Sequence, residues 1–306
     1  MIKVGIWGAH SPLAGEIIRL LVHHPEVEMV SAVAPALKGN PVAGFHKGLI
    51  GDTELRFTDL ADPDSLNLIF VMSDQYLEVL PETHENLKII YIPDSRQEDS
   101  PFLPQEEWVP GVSEMFRKPL VRGALKAQVL PSMCSLSIIA LFPLALHLLL
   151  NDSLKLRFGL PHLTAEKNDI PTVKTILEGI LKEVQFSFDS FESIEYYHSD
   201  SRRALTVEIE MNCGVTAKEI EKIYEEVYND HNFTFLVTSR PEPEEVEGSQ
   251  KCLINIQQAD GEKLKIMAMA DAIFRGGVGD AVHAMNLLFG LFEKIGLSLP
   301  SSLAYK

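Results

Sequence analysis

The opening of the chain constrains its fold more than any other segment does. Residues 3–7 (KVGIW) form an apolar run typical of a buried strand, and the turn at residues 8–12 joins it to residues 13–24, whose apolar residues recur at helical spacing. A second strand is predicted at residues 27–33. A strand, a helix and a strand so close together require a parallel pairing with a right-handed crossover, which is the first unit of a doubly wound sheet.

Two further apolar runs extend the predicted sheet. Residues 68–72 and 87–92 are largely apolar, as is typical of parallel strands that are buried on both faces. A long apolar helix then begins after Pro131 and ends near residue 151. We place the end of the first domain there and predict that residues 1–150 form a Rossmann-type, doubly wound parallel sheet.

Beyond this point the pattern changes to alternation. Apolar and polar residues alternate at residues 204–211, 252–257 and 263–270 (KLKIMAMA), so each strand has one buried and one wet face. Amphipathic helices are predicted between the strands. The sequence therefore predicts an α/β protein, in which an α+β, mainly antiparallel second domain over residues 151–279 follows the parallel one.

The composition supports two domains and excludes two classes of partner. A chain of 306 residues exceeds one ordinary core, and its formal net charge of −16 removes the usual electrostatic attraction to nucleic acid. The longest apolar run, residues 138–150, covers about half a bilayer, so no membrane segment is predicted. The opening lacks a secretory signal, and three widely spaced cysteines favour a reducing cytoplasm over a disulfide framework or a metal site.

The turn after the first strand is a candidate phosphate-binding loop. Gly8 permits the tight turn, and the backbone amides from Ser11 to Leu13 would point from a helix N-terminus at a pyrophosphate. Ser11 stands where a third glycine is usual, and its side chain narrows the approach, so a domain that has lost its nucleotide is the alternative. The residues predicted to contact a dinucleotide here are Gly5, Gly8, His10, Ser11, Pro12 and Leu13.

The end of the second strand favours NADP over NAD. An NAD-binding unit has a carboxylate there that accepts from the ribose hydroxyls, whereas this chain has Ala32, Ala34 and Ala36. No acid would repel a 2′-phosphate, and Lys38 follows closely in the sequence. We therefore predict NADP as the cofactor and Lys38 as one of its ligands. An ordinary surface lysine is the alternative.

Three segments of the chain resemble a known enzyme family. They are VGIWGAHSPLAGEIIRLLVHHPEVEMV at residues 4–30, FHKGLIGDTELRFTD at 45–59 and RGGVGDAVHAMNLLFGLFEKIGL at 275–297. Together they are similar to N-acetyl-gamma-glutamyl-phosphate reductase, an enzyme of arginine biosynthesis, in the family that also includes aspartate-semialdehyde dehydrogenase. The resemblance is strongest at the two ends of the chain.

The resemblance implies further features of the fold and the assembly. In the family the closing segment packs back on the cofactor domain, so the helix of residues 280–306 is expected to complete the first domain. Gly276, Gly277 and Gly279 are then expected to help hold the nicotinamide end of NADP. The family associates through the sheet of its second domain, which implies a homo-oligomer, and the apolar alternation of KLKIMAMA is the expected contact face.

The resemblance also implies a chemistry. Such enzymes use a cysteine thiolate to displace phosphate from an acyl phosphate, and NADPH then reduces the thioester to an aldehyde. The family cysteine lies in a motif like N-P-G-C-Y-P-T, whereas residues 130–137 here are LPSMCSLS. Alignment on the following helix places Ser132 at the nucleophile position and Cys134 two residues beyond. These two residues are the candidates, and the Asn-Pro-Gly turn is absent.

Two other family motifs are altered. The family base is a histidine in an H-x-H-x-P-E-I-like motif, and the nearest match, residues 166–173, has Lys167 and Asp169 at the two histidine positions. The glycine-rich substrate loop that should precede this motif is missing. Arg202 and Arg203 stand where the family has an Arg-Gly that grips a substrate carboxylate, so Arg202 is the candidate substrate ligand.

Two functions from different classes fit these observations. One is a divergent, non-catalytic paralogue that keeps the scaffold and binds NADP weakly or no longer binds it. The other is an active NADPH-dependent N-acyl-glutamyl-phosphate reductase with Cys134 as its nucleophile. We favour the first, because losses in three separate segments are hard to reconcile with the same chemistry.

Overall fold

A computed structural model describes residues 1–93, 106–164, 170–258 and 263–301 of the chain. The chain divides into two compact units, Met1–Leu130 with Gly277–Ser298, and Pro131–Gly276. The boundary expected near residue 150 lies instead at Pro131, because the long apolar helix that follows this residue packs within the second unit.

The first unit contains a sheet of seven strands among its described residues. All pairings are parallel, and the order β3-β2-β1-β4-β5-β7-β6 reverses direction beside β1, as in a doubly wound fold. The strands are β1 (Ile2–Trp7), β2 (Val27–Val33), β3 (Phe57–Thr58), β4 (Leu68–Val71), β5 (Lys88–Tyr91), β6 (Val109–Pro110) and β7 (Lys126–Gln128). The helices before residue 130 are α1 (Pro12–Leu21), α2 (Val42–Phe45) and α3 (Ser113–Val121).

Continuous apolar sequence explains the centre of this sheet. Every residue of β4 is fully buried, and so are Ile89 and Ile90 of β5. Strands covered on both faces by helices need apolar side chains on both faces, so they lack the alternation of a half-exposed strand. The parallel, doubly wound first domain is therefore confirmed.

The second unit contains a mixed sheet with helices. Its order is β11-β12-β13-β10-β8-β9. The inner pairings are antiparallel, and a parallel pair lies at each edge, where α5 forms the crossover from β8 to β9. The elements are α4 (Ser132–Leu146), β8 (Lys155–Leu160), α5 (Ile170–Val184), β9 (Ser193–His198), β10 (Ala204–Asn212), α6 (Ala217–Tyr228), β11 (Thr234–Leu236), β12 (Cys252–Gln258) and β13 (Lys263–Asp271).

Alternation in β13 decides which side of this sheet meets solvent. Leu264, Ile266 and Ala268 are buried, whereas Lys263 and Lys265 are exposed. Helix α4 packs against β10 and β13, on the apolar side of the sheet. Leu264, Ile266 and Ala268 thus fill the core of the unit, whereas the face that we expected to be an apolar contact surface carries Lys263 and Lys265 beside Met267 and Met269.

The last helix of the first unit is α7 (Val278–Leu288), which is buried along its whole length. Asn286 anchors it: the Nε2 atom of His24 donates to Asn286 Oδ1 at 3.1 Å, and Asn286 Nδ2 donates to the carbonyl oxygens of Glu293 and Ile295. Burial lowers the pKa of His24, which favours the neutral ring that these contacts use. None of the helices in the described ranges has the length and apolar character that a membrane span needs.

Two tyrosines of α6 complete the hydrogen bonding of α4. Pro143 lies inside α4 and has no N–H, so the Ile139 carbonyl loses its usual helical donor. The Tyr228 hydroxyl donates to this carbonyl, and the Tyr224 hydroxyl donates to the next one, of Ala140. Both tyrosines are buried, so α6 supplies the donor that the Ile139 carbonyl lacks and ties α4 to the second unit.

Removal of one hydroxyl tests this dependence. We expect Tyr228→Phe to lower the free energy of unfolding by about 1–3 kcal/mol, because a buried carbonyl loses its donor while the ring remains in place. Tyr196→Phe is the matched control, since Tyr196 is 50% exposed and should change stability by less than about 0.5 kcal/mol. Urea denaturation followed by circular dichroism measures both variants, and equal stability of the two would contradict the assignment.

Candidate functional site

The loop after β1 has the conformation that a phosphate site needs. Gly8 has a φ of +87°, and a Cβ atom there would lie 3.1 Å from the Cβ atom of Ser73. Glycine is therefore required at this position for both conformation and space. The N–H groups of Gly8 and Ala9 donate to the Val33 carbonyl at 3.1 and 3.0 Å, which joins the loop to the end of β2.

Ser11 supplies an unpartnered hydroxyl at the start of α1. It is the residue before the helix, it is only 7% exposed, and its Oγ atom has no hydrogen-bond partner among the described residues. A buried hydroxyl without a partner carries a free-energy cost that a bound anion would remove. His10 and Pro12 beside it are exposed and Leu13 is half-buried, so the helix N-terminus is open to a phosphate group.

A histidine that the sequence analysis missed supports this loop. The Nε2 atom of His46 donates to the Ala9 carbonyl at 2.7 Å. A Cβ atom on Gly15 would lie 2.6 Å from His46 Nδ1, so Gly15 is needed to admit the imidazole ring. His46 lies in a segment that carries the family resemblance, but its distance from the loop in sequence gave no sign of this contact.

Gly5 has a packing role in the strand. It lies inside β1 and is buried, and a Cβ atom there would lie 2.7 Å from Leu66 Cδ1 and 2.9 Å from Ser31 Oγ. These close neighbours explain the glycine without a phosphate.

Three charged side chains contact or belong to the segments around the end of β2. Lys38, the predicted NADP ligand, forms an ion pair with Asp59, and the hydrogen bond from Lys38 lowers the pKa of Asp59. Arg56 donates from Nη1 to the Gly39 carbonyl at 2.7 Å. No local sequence pattern predicts Arg56 or Asp59 at this site, because both are placed here by the pairing of β3 with β2.

In the second unit, the two candidate nucleophiles lie in the first turn of α4. Ser132 is the first residue of the helix and is partly exposed. Cys134 is completely buried, and burial raises the pKa of its thiol far above the usual range. No hydrogen-bonding or charged group in the described part of the chain counteracts this burial.

Gly276 fixes the position of this turn. Its φ is +71°, and a Cβ atom there would lie 2.2 Å from Ser132 Cα and 2.4 Å from Ser132 N. The two backbones are therefore in direct contact, which only glycine allows. Gly277 and Gly279 belong to the first unit, where Gly277 precedes α7 and Gly279 lies in its first turn.

A buried ion pair holds the turn that leads to Gly276. The Nε atom of Arg203 lies 2.8 Å from Asp271 Oδ2, and Asp271 also accepts from the N–H groups of Gly248 at 2.6 Å and Ile273 at 2.8 Å. Arg203 therefore has a structural role, as the partner of Asp271. Arg202, the candidate substrate ligand, is exposed.

A buried chain of polar groups in the first unit was also missed by the sequence analysis. Ser113 Oγ lies 2.8 Å from His283 Nδ1, His283 Nε2 lies 2.8 Å from Glu293 Oε2, and Arg117 lies 2.6 Å from the other oxygen of Glu293. Ser113 is only 1% exposed, so this series of hydrogen-bonded groups cannot present a nucleophile. It connects α3 to α7 instead.

Lys167 and Asp169, the residues at the family base positions, lie outside the described residues.

Comparison with known proteins identifies the family. A family model described as semialdehyde dehydrogenase, dimerisation domain, matches residues 202–272. The chain is 33% identical to N-acetyl-gamma-glutamyl-phosphate reductase of Parabacteroides distasonis and 31% identical to that of Bacteroides thetaiotaomicron, with 99% of each chain covered in both cases. This chain belongs to the N-acetyl-gamma-glutamyl-phosphate reductase family.

Solved structures give the same fold for this reductase family member. Aspartate semialdehyde dehydrogenase II of Vibrio cholerae has a TM-score of 0.70 at 11% identity, over 95% of this chain and 98% of that chain. Aspartate semialdehyde dehydrogenase of Candida albicans, solved with NADP, has a TM-score of 0.66 at 14% identity, over 96% and 99%. The resemblance found in the sequence is thus confirmed at the level of family and fold.

The contact of Gly276 with α4 leads to a prediction about this reductase family member. We expect Gly276→Ala to lower the free energy of unfolding by about 3 kcal/mol, because a methyl group collides with the Ser132 backbone and the residue prefers a negative φ. Gly179→Ala is the control, since Gly179 is exposed inside α5 with nothing within 4 Å of an added Cβ atom. This control should stabilise by up to about 1 kcal/mol. Thermal unfolding measures the stability of both variants. An unchanged stability of Gly276→Ala would refute the contact between Gly276 and Ser132.

Proposed function

We propose that this protein is a non-catalytic paralogue of N-acetyl-gamma-glutamyl-phosphate reductase that retains a dinucleotide-binding unit. The observation that carries this proposal is the complete burial of Cys134 in the first turn of α4. The reaction begins with thiolate attack on an acyl phosphate, so it needs a cysteine that is both deprotonated and within about 3–3.5 Å of the acyl carbon. Burial opposes both conditions.

Ser132 does not replace the thiol. A serine hydroxyl needs an adjacent base before it can attack, and the two family histidine positions hold Lys167 and Asp169. Arg202 remains available to an anionic ligand because it is exposed. A protein with these residues could still bind an acidic metabolite without transforming it.

Several residues support NADP as the retained cofactor. The free Oγ atom of Ser11, the open start of α1 and the left-handed Gly8 fit a pyrophosphate, and Lys38 offers a positive charge beyond β2. We propose that Gly277 and Gly279 lie at the nicotinamide end. NADPH, the reduced form, would be a hydride donor, and in this proposal the chain's residues would bind and orient the cofactor without an acyl thioester to receive the hydride. The net charge of −16 and the side chain of Ser11 make the binding weak.

The alternative is an active NADPH-dependent reductase that uses Cys134, and the names of the relatives favour it. This alternative requires the first turn of α4 to move so that the thiol is exposed. The contact between Gly276 and Ser132 opposes that movement.

An activity assay separates the two functions. We expect no phosphate-dependent oxidation of N-acetyl-glutamate semialdehyde with NADP above the level of Cys134→Ala, because the thiol is buried and burial raises its pKa. The Parabacteroides distasonis reductase serves as the positive control under the same conditions. Robust turnover by the wild type that disappears in Cys134→Ala would overturn the non-catalytic assignment.

We also propose that the protein is a cytoplasmic homodimer that associates through the exposed face of the second sheet. The matching family model is a dimerisation domain and covers β10, β12 and β13. These strands line a groove of about 400 Å³ together with β8 and β9. Its wall carries both signs of charge, which suits pairing with a second copy of itself. The charged side chains are Lys155, Arg157, Glu195, Glu208, Glu210, Arg240 and Lys265.

Charge reversal in this groove tests the assembly. Glu195 is exposed and lies opposite Arg157 in the register of β8 and β9, so Glu195→Arg places like charges together. We expect the dissociation constant of the dimer to rise at least about tenfold, because like charges at an interface cost several kcal/mol. Glu225→Arg on exposed α6 is the control. Sedimentation velocity at micromolar concentration gives the answer, and an unchanged dimer in Glu195→Arg would exclude this face.

A further inference from the structure

The end of β2 carries a group of charges whose placement suggests a determinant of cofactor choice. We propose that Arg56, together with Lys38, binds the 2′-phosphate of NADP, and that Asp59 limits the affinity for this phosphate. This inference rests on the proposed dinucleotide binding and adds the residues that decide between NADP and NAD.

The location follows from the sheet. Strands β1 and β2 are parallel neighbours, and the Val33 carbonyl at the end of β2 accepts hydrogen bonds from Gly8 and Ala9 in the phosphate loop. A dinucleotide whose pyrophosphate lies at this loop places its adenosine ribose at the end of β2. The turn that follows Val33, and the side chains that contact this turn, are therefore the ones that meet the 2′ position.

The backbone holds these residues in a defined arrangement. The turn after β2 is fixed to β3 by two hydrogen bonds, from Gly39 N to the Phe57 carbonyl at 2.8 Å and from Phe57 N to the Asn40 carbonyl at 3.0 Å. Gly39 has a φ of +84°, which brings its carbonyl to the guanidinium of Arg56. Lys38 thus lies in the turn after β2 and Arg56 directly before β3, and the hydrogen bonds to Phe57 hold these two segments side by side.

The chemistry of the two cations differs. The hydrogen bond to Gly39 uses Nη1 of Arg56, which leaves donors of an exposed guanidinium for a phosphate, the group that its planar fork matches best. The ammonium of Lys38 is already paired with the carboxylate of Asp59. A 2′-phosphate must compete with that carboxylate for Lys38 and is repelled by it.

Asp59 therefore has the opposite effect from the two cations. Its carboxylate lies beyond β3 and not on the end of β2, so it faces Lys38 and leaves the ribose hydroxyls without the usual acidic acceptor. The prediction is a preference for NADP that is set by Arg56 and reduced by Asp59. Because the ion pair is exposed, removal of Asp59 should leave the fold intact.

Calorimetric titration of the full chain with NADPH and with NADH tests this arrangement. We expect Arg56→Gln to raise the Kd for NADPH at least about tenfold while the Kd for NADH stays the same, because one charged hydrogen-bonding partner of the phosphate is lost. Lys38→Gln should raise the Kd for NADPH by a smaller factor. Asp59→Asn should lower the Kd for NADPH, again with NADH unchanged.

A matched control and a second probe keep the outcomes distinct. Arg122→Gln, an exposed arginine of the same unit, should change neither Kd. The proposal would be overturned if Arg56→Gln weakened the binding of NADPH and of NADH equally, or if it changed the binding of neither. If the wild type binds neither dinucleotide, the proposed cofactor binding fails, and adenosine 2′,5′-bisphosphate then tests the cation pair alone. Binding of this probe that is lost in Arg56→Gln supports the pair, and absence of binding refutes it.

Discussion

The arrangement of the second unit depends on the carboxylate of Asp271. This side chain is fully buried, and burial raises its pKa, but the guanidinium of Arg203 and the backbone N–H groups of Gly248 and Ile273 oppose that shift and together satisfy the ionised form. The carboxylate thereby closes the turn that ends at Gly276, and Gly276 contacts the backbone of Ser132. A buried pair that loses one partner costs about 3–5 kcal/mol, so this turn is not free to rearrange.

The consequence reaches the chemistry of α4. A helix N-terminus favours a thiolate by about 0.3–1 kcal/mol, or about 2 kcal/mol in favourable cases. Complete burial disfavours the charged thiolate and raises the pKa of the Cys134 thiol, so burial outweighs the helix dipole there. At the same helix start, where an exposed cysteine would be activated, burial favours the protonated form of this one. The fold of the family is thus kept, and the burial of this thiol is the basis of the proposed non-catalytic function.

Glycines that allow close contacts also fix the loop after β1 in the first unit. Here the contacts leave the candidate binding groups exposed or unpartnered, whereas in the second unit Cys134 is buried. Gly8 lets the loop turn, and Gly15 admits the ring of His46, which donates to the Ala9 carbonyl. The loop is therefore held in place while its anion-binding groups stay free, including the Ser11 hydroxyl. Under the proposed function, the first unit retains a pre-formed ligand site, and the second has its candidate nucleophile, Cys134, packed in the core.

The sequence by itself determined the class of each unit and the family, and it predicted that the catalytic motifs are altered. Local patterns carry this information, because continuous apolar runs mark strands buried on both faces, alternation marks strands with one wet face, and a motif is a short stretch of chain. Only the tertiary structure decided where the units divide, since α4 is tied to the second unit by Tyr224 and Tyr228 on another helix. It alone also decided that Cys134 is buried and that Arg56 and Asp59 stand beside Lys38. The physical reason is the same in each case: burial and charge pairing depend on residues that are distant in the chain, and no local pattern encodes them.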